Sequence, residues 1–302
     1  MQLLSGVLLT QTQITGVSGV SDMDTLVENI ASDILSKMPE QFNMEEVAVK
    51  YPVLYANSMN TVLRQELIRY NRLTNVIKKS LKDVKKAIKG QVTMSSSLEE
   101  VFLSMSIGKV PIEWDKKSYP SLKPLASYIN DLLGRIEFFN DWIANDAPIV
   151  FWISGFFFTQ SFLTGVLQNY ARSLKIPIDH LDFEFEVKDT SIEQESPSLG
   201  VFTKGLFLEG ARWDKKNRQL TESKAKIMFD PLPIVWLKPG IKSQFVISST
   251  YQCPVYKTSA RRGVLATTGH SSNFVMYILL PTSVDPSHWI NRGVASLCQL
   301  DD

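Results

Sequence analysis

The stretch SMNTVLRQELIRYNRLTNVIKKSLKDVKKAIKG, residues 58–90, is the clearest structural signal in the protein. Its apolar residues recur at steps of three and four, the spacing that aligns side chains on one face of an α-helix. Ser58 suits the N-cap position, and Gly90 suits the C-terminal stop. The pattern predicts one amphipathic helix of about thirty residues, which is long for a globular protein. Its predicted buried face consists of Leu63, Leu67, Tyr70, Leu73, Ile77, Leu81, Val84 and Ile88.

Further helices are expected on both sides of this long helix. Serine, aspartate and proline residues mark their starts and stops, because these residues favour helix caps and ends. Ser21 or Asp22 begins the earliest of them, Ser95 precedes an acidic first turn, and Ser121 opens a helix that tolerates Pro124 in its first turn. The predicted helices cover about 22–37, 44–50, 96–107, 121–142 and 159–175.

After residue 178 the pattern becomes that of β-strands. LDFEFEV, residues 181–187, alternates apolar with acidic residues, the period of a half-buried strand. KGLFLEGARW and QLTES flank DKKNR, which predicts a hairpin with a loop of about five residues. Several short strands at close spacing favour an antiparallel barrel or sandwich. The further predicted strands cover 234–237, 244–251, 255–258, 273–280 and 294–299.

The sequence therefore predicts an α+β protein in which an all-helical part precedes an antiparallel β-barrel. Residues 1–21 are expected to form a linker or flexible segment, since they run into Thr, Gln, Gly and Ser. The helical subdomain is placed at 22–178 and the barrel subdomain at 179–302. A length of 302 residues is consistent with two domains of about 150 residues each.

The composition is that of an ordinary globular protein, with 44% hydrophobic and 21% charged residues. The formal net charge of +1 argues against a dedicated nucleic-acid binder, because phosphate binding normally requires a basic excess. Two cysteines, Cys253 and Cys298, are too few for a disulfide framework, and no Asn-X-Ser/Thr sequence occurs. Both observations favour a reducing, intracellular setting.

Two segments raise the question of a membrane or a targeting signal. Residues 147–171 contain no charge, but Pro148, Gly155 and seven polar residues interrupt the run. A membrane span needs about 20 predominantly apolar residues, so a buried helix with its entry loop is the better interpretation. The first twenty residues have an apolar patch without basic residues, which resembles a linker more than a signal peptide.

The search for catalytic chemistry is mostly negative. The sequence contains no G-x-x-x-x-G-K-S/T loop, no G-x-S-x-G elbow and no H-E-x-x-H motif. His270 beside Ser271 is a hydrolase candidate in composition only, because the strained strand-to-helix turn around a nucleophile is missing. His180, Asp182 and His288 have no recognised ligand spacing for a metal. We expect no catalytic residue, no metal site and no cofactor bound by this chain.

Charge is unevenly distributed within the neutral total. Residues 64–89 hold nine basic and two acidic residues, a net +7, whereas residues 1–50 hold seven acidic and two basic residues, a net −5. Such opposite local charges suit contacts within the molecule or between subunits, a solvated helix face, or the binding of a polyanion. The candidate interaction residues in this region are Arg64, Arg69, Arg72, Lys78, Lys79, Lys82, Lys85 and Lys86.

Aromatic residues are concentrated in VFWISGFFF, residues 150–158, where five of nine positions are Phe or Trp. Some of these side chains must belong to the core. The same concentration is typical of a permanent docking surface, where aromatic anchors fill pockets of the partner. Phe156, Phe157 and Phe158 are therefore further candidate interaction residues.

Long ordered strings of the sequence resemble the C-terminal region of dynein heavy chains. The resemblance runs from about residue 22 to the terminus, and YKTSARRG with TTGH, within 256–270, is similar to the axonemal branch, of the inner-arm type. The strings are SMNTVLRQELIRYNRL, LKDVKKAIKG, SLEEVFLSMSIGKVP, SYPSLKPLASYINDLLGRI, VFWISGFFFTQSFLTGVLQNYAR, IPIDHLDFEFEV, GLFLEGARWD, CPVYKTSARRGVLATTGHSSNFVMYILLP and HWINRGVASLCQL.

The resemblance implies a non-catalytic regulatory and structural domain that lies across one face of an AAA+ motor ring. Its implied partners are the first, fifth and sixth AAA+ modules of the same heavy chain and, indirectly, microtubules and other dynein subunits. ATP would be bound and hydrolysed elsewhere in that polypeptide, and the implied location is the cytoskeleton of a ciliary or flagellar axoneme. Neither nucleic acid nor membrane is an expected partner. An alternative hypothesis is a binding module for an axonemal protein or for the acidic tails of tubulin.

Overall fold

The computed structural model describes residues 20–188, 195–245, 249–264 and 271–302. Among the described residues, helices predominate up to Leu174 and strands are the main regular structure after it, so the predicted α+β class is confirmed. The helices are α1 (Val20–Lys37), α2 (Met44–Lys50), α3 (Ser58–Ile88), α4 (Ser96–Ser106), α5 (Ile112–Asp115), α6 (Leu125–Asn145), α7 (Thr159–Leu174) and α8 (Pro286–Asn291).

The strands are short, and most of them follow residue 180. They are β1 (Val150–Trp152), β2 (Leu181–Val187), β3 (Val201–Lys204), β4 (Phe207–Glu209), β5 (Ala211–Asp214), β6 (Gln219–Glu222), β7 (Phe229–Pro231), β8 (Val235–Ile241), β9 (Thr250–Tyr256), β10 (Phe274–Pro281) and β11 (Ala295–Leu297).

The long helix α3 is confirmed, and its predicted apolar face is buried along most of its length. Its N-cap, however, is Asn57 rather than Ser58, because the Asn57 side-chain oxygen accepts a 3.0 Å hydrogen bond from the amide of Met59. Ser58 already belongs to the helix. At the other end, Gly90 adopts a φ of +69°, the left-handed conformation that favours glycine at a helix end.

The start of α6 differs from the prediction. The helix begins at Leu125 instead of Ser121, because a proline at 124 disfavours helical backbone at Lys123. The hydroxyl of Ser121 instead accepts a hydrogen bond from the amide of Lys123, as in a turn. The sequence also missed α5, since four residues are too few to show a helical period.

The protein divides into two compact units, and the first comprises residues 20–44, 67–137 and 301–302 of the described residues. Its core is formed by the apolar faces of its helices and includes two large side chains that carry hydrogen-bond donors, Trp114 and Arg135. The indole of Trp114 is fully buried and donates a 2.8 Å hydrogen bond to the Ser80 hydroxyl. The buried guanidinium of Arg135 forms an ion pair with Asp131 at 2.6 Å and lies 3.7 Å from the ring centre of Tyr119.

The second unit comprises the described residues of 45–66 and 138–300, and the strands β1–β11 all lie in it. A four-stranded sheet has the order β1-β3-β8-β2, a five-stranded sheet the order β10-β9-β11-β4-β7, and β5 pairs with β6. Most of the described strand pairs are antiparallel, as predicted, but the β1–β3 and β11–β9 pairs are parallel. No closed barrel is found among the described strands, and the barrel stays a prediction.

Individual strand predictions succeeded where the alternation was long. β2 matches the predicted 181–187, and the predicted hairpin is β5–β6, joined by residues 215–218. The expected strands at 244–251 and 255–258 are replaced by a 3₁₀ turn at Lys242–Gln244 and the single strand β9, although 246–248 lie outside the described residues. The predicted subdomain limits at 21 and 178 stay a prediction, and residues 1–19 are likewise not described.

One glycine of the second unit is required by a close backbone approach. Gly200 has a φ of +72°, and a Cβ built there would lie 1.9 Å from the carbonyl oxygen of Leu237. Gly210 has a similar φ of +79°, but a Cβ there would meet nothing nearer than 3.5 Å. Substituting each glycine in turn therefore distinguishes the cost of a steric clash, present only at Gly200, from the cost of a positive φ, present at both.

We expect Gly200→Ala to destabilise the protein much more than the matched control Gly210→Ala. The control should lose about 1–2 kcal/mol through its positive φ alone. Gly200→Ala should lose roughly 1–3 kcal/mol more, because overpacking forces the backbone apart. Thermal and urea unfolding of both variants measure the difference. Equal losses would contradict the close approach at Gly200.

Candidate functional site

The aromatic segment at 156–158 divides between core and surface. Phe156 is 2% exposed and stacks on Phe162 with ring centres 4.3 Å apart, so it is a core residue and not part of an exposed surface. Phe157 is partly buried, whereas 43% of the Phe158 side chain is exposed. The surrounding aromatic cluster consists of Phe138, Phe139, Trp142, Phe151, Phe156 and Phe162.

A buried carboxylate fixes the position of this segment. Glu66 lies on α3 and is fully buried, and its two carboxylate oxygens accept hydrogen bonds from the backbone amides of Phe157 and Phe158. These amides immediately precede α7, where backbone donors have no partner within the helix. Because a buried charge is costly unless it is hydrogen-bonded, Glu66 and the start of α7 stabilise each other.

Next to this segment, α7 and the first two turns of α3 border a groove of about 680 Å³, here called the α3–α7 groove. Gly165 permits the close approach at its base, since a Cβ there would lie 3.0 Å from the Val62 side chain. The loop at 53–55 forms part of the lining, and Tyr55 is 80% exposed and Val53 61% exposed. Such exposed large apolar side chains beside a concave surface are typical of a docking site.

Arg172 is the charged residue among those that line the groove in the described part of the protein. Its guanidinium lies 4.4 Å from the ring centre of Tyr55 and donates hydrogen bonds to the Tyr55 carbonyl oxygen and, at 2.7 Å, to the Ser58 hydroxyl. These contacts hold the guanidinium in place by stacking and neutral acceptors. No carboxylate of the described residues lies within ion-pair distance of it.

The loop that carries Tyr55 is anchored at its beginning by Tyr51. The Tyr51 hydroxyl lies 2.9 Å from the Trp142 carbonyl oxygen and 3.1 Å from the Asp146 carboxylate. Burial and, second, the hydrogen bond to Asp146 raise the pKa of Tyr51 to about 12. The hydroxyl therefore remains protonated, and remains a donor, at every physiological pH.

Basic residues of α3, and Lys89 just after its end, contact the acidic amino-terminal region within the first unit. Lys78 donates to the Pro39 carbonyl oxygen at 2.5 Å, and Lys85 donates to the Ser32 hydroxyl at 2.7 Å. Lys89 forms a 2.7 Å ion pair with Glu28, and this hydrogen bond holds the pKa of the Glu28 carboxyl below its usual value. The charge asymmetry of the sequence is thus partly used inside the molecule.

Four other basic residues of α3 face solvent on one side of the helix. Arg72, Lys79, Lys82 and Lys86 are exposed, and their spacings of seven, three and four residues align them in one row, here called the basic stripe. At 1.5 Å per residue the stripe is about 21 Å long. In the described part of the protein no carboxylate pairs with any of the four. Arg64 and Arg69 are partly buried and lie outside the stripe.

The histidine, cysteine and acidic residues considered as catalytic or metal-binding candidates can be placed where they lie in the described part of the protein. Within them, no group of three or more His, Cys, Asp or Glu side chains is arranged to hold a metal ion. His288 bonds Glu222 at 2.7 Å, Asp182 accepts from the amide of Phe183, and burial raises the pKa of the Cys253 thiol. His270 lies outside the described residues. Among the described helices, none combines the length and the apolar character needed to cross a bilayer.

Sequence reasoning missed two residues that the structure makes central, Glu66 and Arg172. Glu66 had a recognisable signal, because a lone acidic residue sits among the apolar positions of α3, three residues after Leu63 and four before Tyr70. Arg172 had a weaker signal as the first charge after the uncharged stretch at 147–171. Its contact with Tyr55 depends on tertiary structure and could not be read from spacing.

The fold and these surfaces define a mixed α and β domain with an apolar groove and a basic helix face. Residues 1–298 match the family model that describes the C-terminal domain of dynein heavy chains, and the protein therefore belongs to this family. It is 63% identical to dynein axonemal heavy chain 3 of Mus musculus, over 100% of its own length and 7% of that relative.

Similar relatives include dynein axonemal heavy chain 12 of Homo sapiens, 53% identical over 99% of the present sequence and 10% of that relative. Dynein axonemal heavy chain 1 of Rattus norvegicus is 49% identical over 99% of the present sequence and 7% of that relative. The 302 residues thus span only 7 to 10% of the length of these relatives.

Replacing the carboxylate of Glu66 tests its structural role. We expect Glu66→Ala to lower the free energy of unfolding by roughly 3 kcal/mol, since two partly buried amides lose their shared carboxylate acceptor. Glu66→Gln should lose less, because the side-chain oxygen still accepts one hydrogen bond. The neighbouring Gln65→Ala, at an exposed position, is the matched control. Urea unfolding measures all three, and a loss in Glu66→Ala no larger than in the control would refute the role.

Proposed function

We propose that this protein is the C-terminal regulatory and structural domain of an axonemal dynein heavy chain. In this role it packs against the AAA+ ring formed by the rest of the polypeptide, contacts the first, fifth and sixth modules, and modulates ATP-driven movement on microtubules. Its location is the axoneme of a cilium or flagellum. ATP is bound by other parts of the heavy chain, and this domain acts without a catalytic residue or cofactor of its own.

The observation that carries this proposal is the match along residues 1–298 to the C-terminal domain of the family, at 63% identity to one axonemal relative. The surface agrees with a docked part. Tyr55, Val53 and Phe158 expose large apolar side chains around one groove, which is costly on a free surface and ordinary in a stable interface. The remainder of the heavy chain is covalently linked to this domain and is therefore always present as a partner.

The proposed mechanism is mechanical. A domain that contacts several modules of a ring stabilises those ring conformations in which its contacts are best satisfied. If these contacts differ between nucleotide states, the domain shifts the balance between the states and so changes the coupling of hydrolysis to movement. The buried hydrogen bonds of Glu66 and Tyr51 suit this role, because they make the groove walls rigid.

Deleting residues 1–302 from the intact heavy chain tests this mechanism. Coupling free energies of about 1–3 kcal/mol are typical, so we expect the microtubule gliding velocity per ATP hydrolysed to change about fivefold or more. ATPase and gliding assays measure both quantities. Unchanged ATPase, unchanged velocity and an equally stable ring would together contradict the proposal.

The basic stripe favours a second candidate function, namely the binding of an axonemal protein or of the acidic tails of tubulin. Four exposed cations along about 21 Å attract an extended acidic peptide, and such contacts between exposed charges weaken as salt screens them. Lys116 and Lys117 are also exposed but lie outside α3, and they provide a control with the same charge.

For this second function we expect the 302-residue protein to pellet with microtubules and to be released as salt is raised. Lys79→Glu combined with Lys82→Glu should weaken binding about tenfold, roughly 1.4 kcal/mol. The double control Lys116→Glu, Lys117→Glu should bind like the unmodified protein. Absence of pelleting at low salt, or equal weakening by both pairs, would exclude the stripe as the site.

A further inference from the structure

We infer that the α3–α7 groove receives one segment of the same heavy chain, and that this segment presents an apolar side chain next to a carboxylate. The inference rests on the proposed function, because it takes the rest of the heavy chain as the partner. It goes beyond that function by assigning the docking site and the chemistry of its occupant. Three features of the groove support it: the shape, the apolar rim and the charge of Arg172.

The shape of the groove fits a side chain or short segment of polypeptide. Its volume of about 680 Å³ lies in the range of sites that bury a small ligand or a few side chains. The walls are preformed, since the tight contact of Gly165 with Val62 fixes the two helices and Tyr51 anchors the loop. A rigid groove binds without an ordering cost, which favours a lasting contact.

The rim of the groove is apolar and unusually exposed. Tyr55 is 80% exposed, Val53 61%, Leu54 49% and Phe158 43%, and all four line the same groove. Covering them removes apolar surface from water, the main favourable term in association. An occupant with an aliphatic or aromatic side chain satisfies this requirement.

The charge in the groove identifies the second feature of the occupant. Arg172 is partly buried, is held in place by the Tyr55 ring and the Ser58 hydroxyl, and faces no carboxylate of the described residues. Only one of its terminal nitrogens donates to these acceptors, so the rest of the guanidinium retains donors. A carboxylate is the group that a fixed planar guanidinium binds best.

The source of the segment is inferred from how little of a whole heavy chain the present sequence covers. The present sequence spans 7 to 10% of the length of its axonemal relatives. About nine-tenths of such a heavy chain therefore lies outside it. A segment of the same polypeptide is present at a high effective concentration, which a separate protein or a second copy lacks. A permanent partner also explains why the rim tolerates so much apolar exposure.

Photo-cross-linking in the intact heavy chain tests the inference. Benzoylphenylalanine in place of Tyr55 preserves an aromatic ring under Arg172 at an 80% exposed position. We expect a cross-link to a heavy-chain segment outside these 302 residues, with Asp or Glu within about four residues of the linked site, one helical turn. The same amino acid in place of Val49, which is 83% exposed on α2, is the control and should not link to that segment.

Substitution of Arg172 tests the carboxylate. Arg172→Gln removes the charge and should lower the yield of this cross-link about fivefold, which corresponds to about 1 kcal/mol. Arg172→Lys keeps the charge but loses the planar guanidinium, so it should recover only part of the yield. Equal yields in all three proteins, no cross-link above the control, or a link to a second copy or another polypeptide would each overturn the inference. None of these results would affect the deletion assay, so the proposed function stands or falls separately.

Discussion

The burial of one carboxylate constrains the α3–α7 region and the groove beside it. Glu66 is fully buried on the apolar face of α3, and its carboxylate accepts hydrogen bonds from the two backbone amides that immediately precede α7. The hydrogen bonds from both amides help to stabilise a polar group that is removed from water in this position. Glu66 therefore helps to position the start of α7, the stacked ring of Phe156 and the adjacent groove.

The segment at 150–158 places most of its aromatic residues toward the interior and exposes Phe158 beside the groove. The basic residues of α3 and the adjoining Lys89 also divide between contacts inside the molecule and exposure to solvent. Lys78, Lys85 and Lys89 contact the amino-terminal helix region, whereas the basic stripe faces solvent. Both surfaces are suited to contact something outside the described residues, and neither carries a cluster of catalytic or metal-binding groups.

Regular patterns of the sequence predicted the regular parts of the fold. The steps of three and four in α3 and the alternation in β2 require only local geometry, and both elements were found at the expected residues. Strands of three residues, such as β1 and β7, carry no period and were missed, and the parallel pairing of β1 with β3 joins segments that are far apart in the sequence. The stripe was predictable as charge on a helix. The groove was not, because Arg172 and Tyr55 meet only through the fold.

We propose that the rest of the heavy chain covers the exposed apolar rim of the groove. Hydroxyl-radical footprinting measures this directly, because the oxidation rate of a side chain follows its exposure to solvent. Tyr55 should be oxidised at least severalfold more slowly in the intact heavy chain than in the isolated domain, with Val49 on α2 as an internal reference. An equal rate for Tyr55 in both proteins would show that the groove stays open and would contradict the proposal that the heavy chain covers it.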